Sequence, residues 1–81
     1  MSTSTVESRP LAQTVRFTDS DLVVKLVDGR TVSVPLQWFP RLRRAMPAQR
    51  KNFEILAEGE GIHWPDIDED LSVAGLLRGD H

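Results

Sequence analysis

The sequence predicts a small α+β domain, an antiparallel sheet of three to four strands with short helices packed on one face. Between residues 15 and 34 apolar and polar side chains alternate with the two-residue period of half-buried strands. Asp19-Ser20-Asp21 and Asp28-Gly29 supply turn chemistry between those runs. Pro40 and Ser72 then mark helix starts, one by suiting a first helical position and the other by suiting a cap.

Residues 1–13, rich in Ser and Thr and without periodicity, read as a flexible tail, and residues 14–81 as a single domain. In the first strand Val15 and Phe17 share a side; in the second, Leu22, Val24 and Leu26 oppose Val23, Lys25 and Val27. A two-residue turn at Asp28-Gly29 would set Val24 against Ser33. The three-residue loop Val27-Asp28-Gly29, with Gly29 in the left-handed region, pairs Val24 with Val32 and Leu22 with Val34. Pro35 has no amide hydrogen, so the third strand ends there or lies on an edge. A helix from Pro40 places Leu42 and Met46 four apart, and Pro47 interrupts it and opens a second short turn through Asn52. Phe53, Ile55 and Ala57 alternate with Glu54, Leu56 and Glu58 as a fourth strand before the Gly59 and Gly61 turn. Ser72 caps the last helix, with Leu71 and Leu76 as a hydrophobic staple and Gly79 as its stop.

Composition narrows the class. With 81 residues, 40% apolar and 27% charged, the chain has room for one core and not two. No apolar run approaches the roughly 20 residues of a membrane helix, and the N-terminus lacks the features of a secretory signal. A cytoplasmic protein with no membrane partner is expected. The absence of cysteine removes disulfides, thiolate metal sites and cysteine nucleophiles. Net charge is only −2, yet residues 1–28, 29–53 and 54–81 carry balances of −1, +6 and −7.

The densest polar stretch is "GIHWPDIDEDLSV", residues 61–73. His63 with Asp66, Asp68, Glu69 and Asp70 has the donor types of a metal site but not the spacing, since Pro65 intervenes and no second imidazole is near. A loop stiffened by Pro65, with an acidic rim, accounts for the same residues. Ser72 is the nearest hydroxyl to His63 but reads as a cap, and neither a glycine-rich phosphate loop nor a nucleophile elbow occurs. No enzymatic activity, metal or cofactor is therefore expected. Trp38, Phe39 and Trp64 read first as core and second as contact residues for a partner. Arg41, Arg43, Arg44, Arg50 and Lys51 fan around the exposed side of the short helices.

Asp28-Gly29-Arg30, "VPLQWFPRL" (34–42), Arg50 with Asn52, "GIHWPDIDEDLSV" (61–73) and "GLLRG" (75–79) together resemble domain of unknown function 2442, a family of small bacterial proteins. The resemblance covers residues 14–79. It implies a small α+β domain without established catalysis, often encoded beside a second small protein in pairs similar to toxin–antitoxin systems. Met46 departs from it, standing where relatives often carry a Ser or Thr cap.

Charge segregation and the resemblance together predict a protein-interaction domain, an antitoxin-like or regulatory component that binds a small protein encoded by a neighbouring gene. Its expected contact is His63, Trp64, Asp66, Asp68, Glu69 and Asp70. The alternative is a nucleic-acid-binding regulatory module using Arg41, Arg43, Arg44, Arg50 and Lys51, which would serve otherwise as a second partner surface. An exposed edge strand ending at Pro35 also offers itself to a symmetry mate, as in a homodimer.

Overall fold

A computed structural model of the chain describes residues 10–80. Among these residues six strands and three short helices follow in the order β1 (Ala12–Phe17), β2 (Asp21–Leu26), β3 (Thr31–Pro35), α1 (Pro40–Arg44), α2 (Pro47–Lys51), β4 (Glu54–Leu56), β5 (Gly61–Trp64), β6 (Glu69–Ser72) and α3 (Val73–Arg78). Single 3-10 turns at Leu36–Trp38 and Ala57–Gly59 join elements. The strands form two antiparallel meanders, β1-β2-β3 and β4-β5-β6. The α+β class holds, with two sheets where the sequence pattern predicts one.

In the first sheet Leu22 pairs with Val34 and Val24 with Val32, the register set by the three-residue loop. Leu26 donates its amide to the Arg30 carbonyl and Gly29 has φ +99°, so the loop closes on a conformation that favours glycine. Asp28 fixes the same turn by accepting from the Arg30 amide at 3.0 Å and from its Nε at 2.8 Å. The amide bond foremost, and the guanidinium beside it, hold that carboxyl below its ordinary value. β3 is an edge strand and ends at Pro35, as its missing amide requires.

Leu22, Val24, Leu26 and Val34 from the first sheet meet Ile62 and Trp64 from the second, and Leu36, Phe39, Leu42, Val73 and Leu76 close the core. All are at least 95% buried. β1 begins at buried Ala12, two residues before the predicted boundary, and the Leu11 carbonyl accepts from Val27. Of the predicted tail, residues 1–9 lie outside the described residues.

Two local expectations are corrected. Met46 does not extend the stripe begun by Leu42: α1 ends at Arg44, and Met46 stands 65% exposed ahead of Pro47. With no polar side chain there, Gln49 Oε1 accepts the Met46 amide at 2.8 Å and secures the start of α2. Ile55 likewise does not turn fully inward. β4 is an edge of the second sheet, and both Ile55 and Leu56 are exposed.

The C-terminal helix forms despite Gly75 because both ends are capped. Ser72 Oγ accepts from the Gly75 amide at 3.1 Å, and Gly79 at φ +83° lets the Gly79 and Asp80 amides reach the Leu76 and Gly75 carbonyls. Val73 and Leu76 are buried on its inner face. Ser72→Ala is expected to lower unfolding free energy by about 1 kcal/mol, read as a lower urea midpoint with unchanged slope. Among the described residues no helix is long and apolar enough to cross a membrane.

Candidate interaction site

The segment expected to be an acidic loop is a β-hairpin. β5 and β6 pair Gly61 with Ser72, Ile62 with Leu71, His63 with Asp70 and Trp64 with Glu69, leaving residues 65–68 as the turn. Strand alternation then sorts the side chains: Ile62 and Trp64 point into the core, while His63 stands on the outer face between Glu54 of β4 and Asp70 of β6.

Trp64 therefore leaves the predicted contact set. It is fully buried, its Nε1 donates to the Arg50 carbonyl at 3.0 Å, and it lies edge-on to Phe17 at 6.2 Å and tilted against Phe53 at 6.4 Å. A residue enclosed in this way holds the sheets together and offers nothing to a partner.

The other predicted acids are brought together and held from behind. His63 Nδ1 lies 2.6 Å from Asp70 Oδ1. An ionised carboxylate only accepts, so this contact assigns the ring proton to Nδ1 and turns Nε2 away. At the turn, Asp66 Oδ2 accepts from Asn52 Nδ2 at 3.1 Å, and Arg41 Nη1 donates to the Asp68 carbonyl at 2.6 Å. Asp68 sits at φ +52°, a region that Asp tolerates better than most residues. Asn52 and Arg41 thus fix the backbone of the hairpin tip while Asp66, Asp68 and Asp70 remain exposed. Beside them Trp38, half-buried and edge-on to Phe39, lines a cleft of about 410 Å³ with Glu69, Asp70, Leu71 and Leu76. Sequence spacing gives no sign that Trp38 and Glu69 share a cleft, because they lie on separate elements.

The predicted basic surface divides. Arg50 is a packing residue: Nε donates to the Leu42 carbonyl and Nη2 to that of Arg43, both at 2.9 Å, and its guanidinium lies 5.4 Å from the Phe17 ring centre. It closes the C-terminal end of α1. Arg43, Arg44 and Lys51 are exposed. The ion pairs between described side chains are Arg30 with Asp28 and Arg78 with Asp80, and the His63–Asp70 contact is a hydrogen bond that is ionic only when the imidazole is protonated. None of these joins the basic stretch 29–53 to the acidic stretch 54–81, so among the described residues no ion pair links the two charge blocks.

Nor do the acids form a coordination shell: among the described residues no group of three or more His, Asp or Glu side chains is placed to hold an ion. Ser72 Oγ, the nearest hydroxyl to His63 in sequence, is engaged by Gly75.

Two solved structures share the fold. A protein of unknown function from Rhodospirillum rubrum is 33% identical, with a TM-score of 0.77 over 90% of each chain. An uncharacterized protein from Chromobacterium violaceum is 25% identical, with a TM-score of 0.71 over 85% of this chain and 65% of its own. No curated protein matches. The profile described as "Protein of unknown function (DUF2442)" spans residues 12–81, taking in both sheets, the hairpin and the C-terminal helix, and on that extent the chain belongs to the DUF2442 family.

Proposed function

We propose that this chain is a non-enzymatic protein-interaction domain whose acidic hairpin receives a basic segment of a small partner protein. The partner is the product of a neighbouring gene, and the domain is the antitoxin-like or regulatory member of the pair. The observation that carries this reading is the Arg41 contact. Its guanidinium takes the backbone carbonyl of Asp68, not a carboxylate, so the hairpin is anchored while its negative charges stay available. A pre-anchored acidic surface loses little conformational freedom on binding and steers a cationic partner toward itself. A cleft of about 410 Å³ beside Glu69 and Asp70 gives room for the side chain of a Lys or Arg next to those carboxylates.

Co-expression with the adjacent gene product tests it. The isosteric variant Asp66→Asn, Asp68→Asn, Glu69→Gln, Asp70→Asn keeps the hairpin's hydrogen-bonding atoms and removes its charge. It should fold as the wild type does and bind at least about tenfold more weakly, with the wild-type association rate falling as salt rises. Equal affinity for the two proteins contradicts the reading.

A second reading draws on the exposed Arg43, Arg44 and Lys51 with Arg41 nearby. Used as a nucleic-acid surface, they would give binding that weakens steeply with salt and collapses in the Arg41→Ala, Arg43→Ala, Arg44→Ala variant.

A further inference from the structure

We propose that the groove between the β1–β2 turn and α2 is a second binding site, which takes a short acidic peptide segment carrying a large apolar side chain. This extends the interaction reading to a site of opposite charge on different elements. The groove encloses about 550 Å³ and is lined by Arg16, Phe17, Asp19, Arg50, Lys51 and Phe53 among others.

Its floor is apolar and left partly open. Phe17 and Phe53 both pack on Trp64 yet remain half-buried, so their outer surfaces face the groove that they line. Covering them would continue the core outward, worth about 25 cal/mol for each Å² removed from water.

Its walls are cationic. Arg16, Arg50 and Lys51 line it against one acid, Asp19. Arg50 is already fixed, with Nε and Nη2 on the Leu42 and Arg43 carbonyls and the guanidinium over Phe17. Its guanidinium therefore lines the groove without further loss of side-chain freedom on meeting an anion. Arg16 and Lys51 are exposed and form no ion pair with a described carboxylate. A carboxylate that reaches this wall gains charge-assisted hydrogen bonds, and the apolar residue next to it covers the phenylalanines.

Charge elsewhere on the chain favours a short peptide over a polynucleotide. Residues 54–81 carry eight acids against one base, and the whole chain is net negative. A long polyanion would meet that repulsion beyond the groove, whereas a few residues contact the cationic walls alone.

The test is a two-dimensional amide NMR titration of the full chain with the peptide acetyl-Glu-Asp-Phe-Asp-Glu-amide. Saturable shifts are expected at residues 15–19 and 50–53, and the Arg16→Ala, Lys51→Ala variant should bind about tenfold more weakly. Replacing the peptide's Phe by Gly should weaken binding to a similar degree. The charge-neutralised hairpin variant should bind this peptide as the wild type does, so loss of one site is read independently of the other. The proposal is overturned by an absence of shifts at millimolar peptide, by unchanged affinity in the double variant, or by a short oligothymidine occupying the same residues more tightly.

Discussion

Replacing Trp64 by Ala is expected to remove about 3–5 kcal/mol of stability, the usual range for deleting a buried indole. A domain of this size has roughly 4–10 kcal/mol in total, so the variant should be largely unfolded under mild denaturant or modest heating. The cause is the position of the ring between the sheets. Trp64 stands on β5 and packs against Phe17 of β1, and its Nε1 binds the Arg50 carbonyl of α2. Truncation opens a cavity at the contact between sheets and leaves that carbonyl without its donor. Trp64→Phe separates the two effects: the ring volume is mostly kept, and the lost hydrogen bond should cost about 1–3 kcal/mol. Urea denaturation followed by circular dichroism reads both variants, and a Trp64→Ala midpoint close to that of the wild type would refute this role.

Gly59→Ala should be nearly as damaging, about 3 kcal/mol or more, for a reason that lies in the backbone. Gly59 has φ +115°, and a Cβ there would stand 2.9 Å from the Ala12 nitrogen and the Leu11 Cβ. The residue ends the irregular turn after β4, where Ala57 and Glu58 also take positive φ, and it lets the start of β1 pass directly against that turn. Gly29→Ala is the matched control. Its φ of +99° is strained in the same sense, yet nothing lies within 4 Å of the added carbon. Gly29→Ala should therefore show the conformational cost alone, about 1–2 kcal/mol. The difference between the two variants measures how tightly the second sheet is packed on β1, and equal midpoints would mean that this contact carries no stability.

The sequence is informative where a single local device decides the structure. Asp28-Gly29 with flanking alternation was enough to choose the odd loop and hence the pairing of Leu22 with Val34, because a one-residue slip would expose every core side chain of β2. Ser72 and Gly79 were enough to bound α3, since each satisfies helix-end groups through its own chemistry. The second sheet was harder to read. Its strands are only three or four residues long, Pro65 and four acids interrupt the pattern, and acids have weak strand preference. The signal was present but short: Ile62 and Trp64 alternate with Gly61 and His63, and the residues after the turn reach Ser72 in register. Met46 lies past the end of α1 at Arg44 and Ile55 on an edge strand, two places where an apolar residue can stand exposed whatever the period around it.

The candidate sites divide in the same way. The acids are legible as a cluster since they are adjacent in sequence, whereas the full burial of Trp64 among them follows from strand alternation in a short hairpin. The structural role of Arg50 depends on Phe17, thirty-three positions away, and no local pattern reports it. The groove formed by Arg16, Phe17, Lys51 and Phe53 arises only when β1 and α2 come together.

Chemical-shift mapping on addition of the adjacent gene product bears most directly on the proposal that the acidic hairpin is a binding face. The largest perturbations are expected on the amides of His63, Asp66, Asp68, Glu69 and Asp70, with Trp38 of the neighbouring cleft, and they should shrink as salt is raised. Saturation of the complex with those amides unmoved, and the shifts gathered instead on Arg41, Arg43 and Arg44, would contradict it.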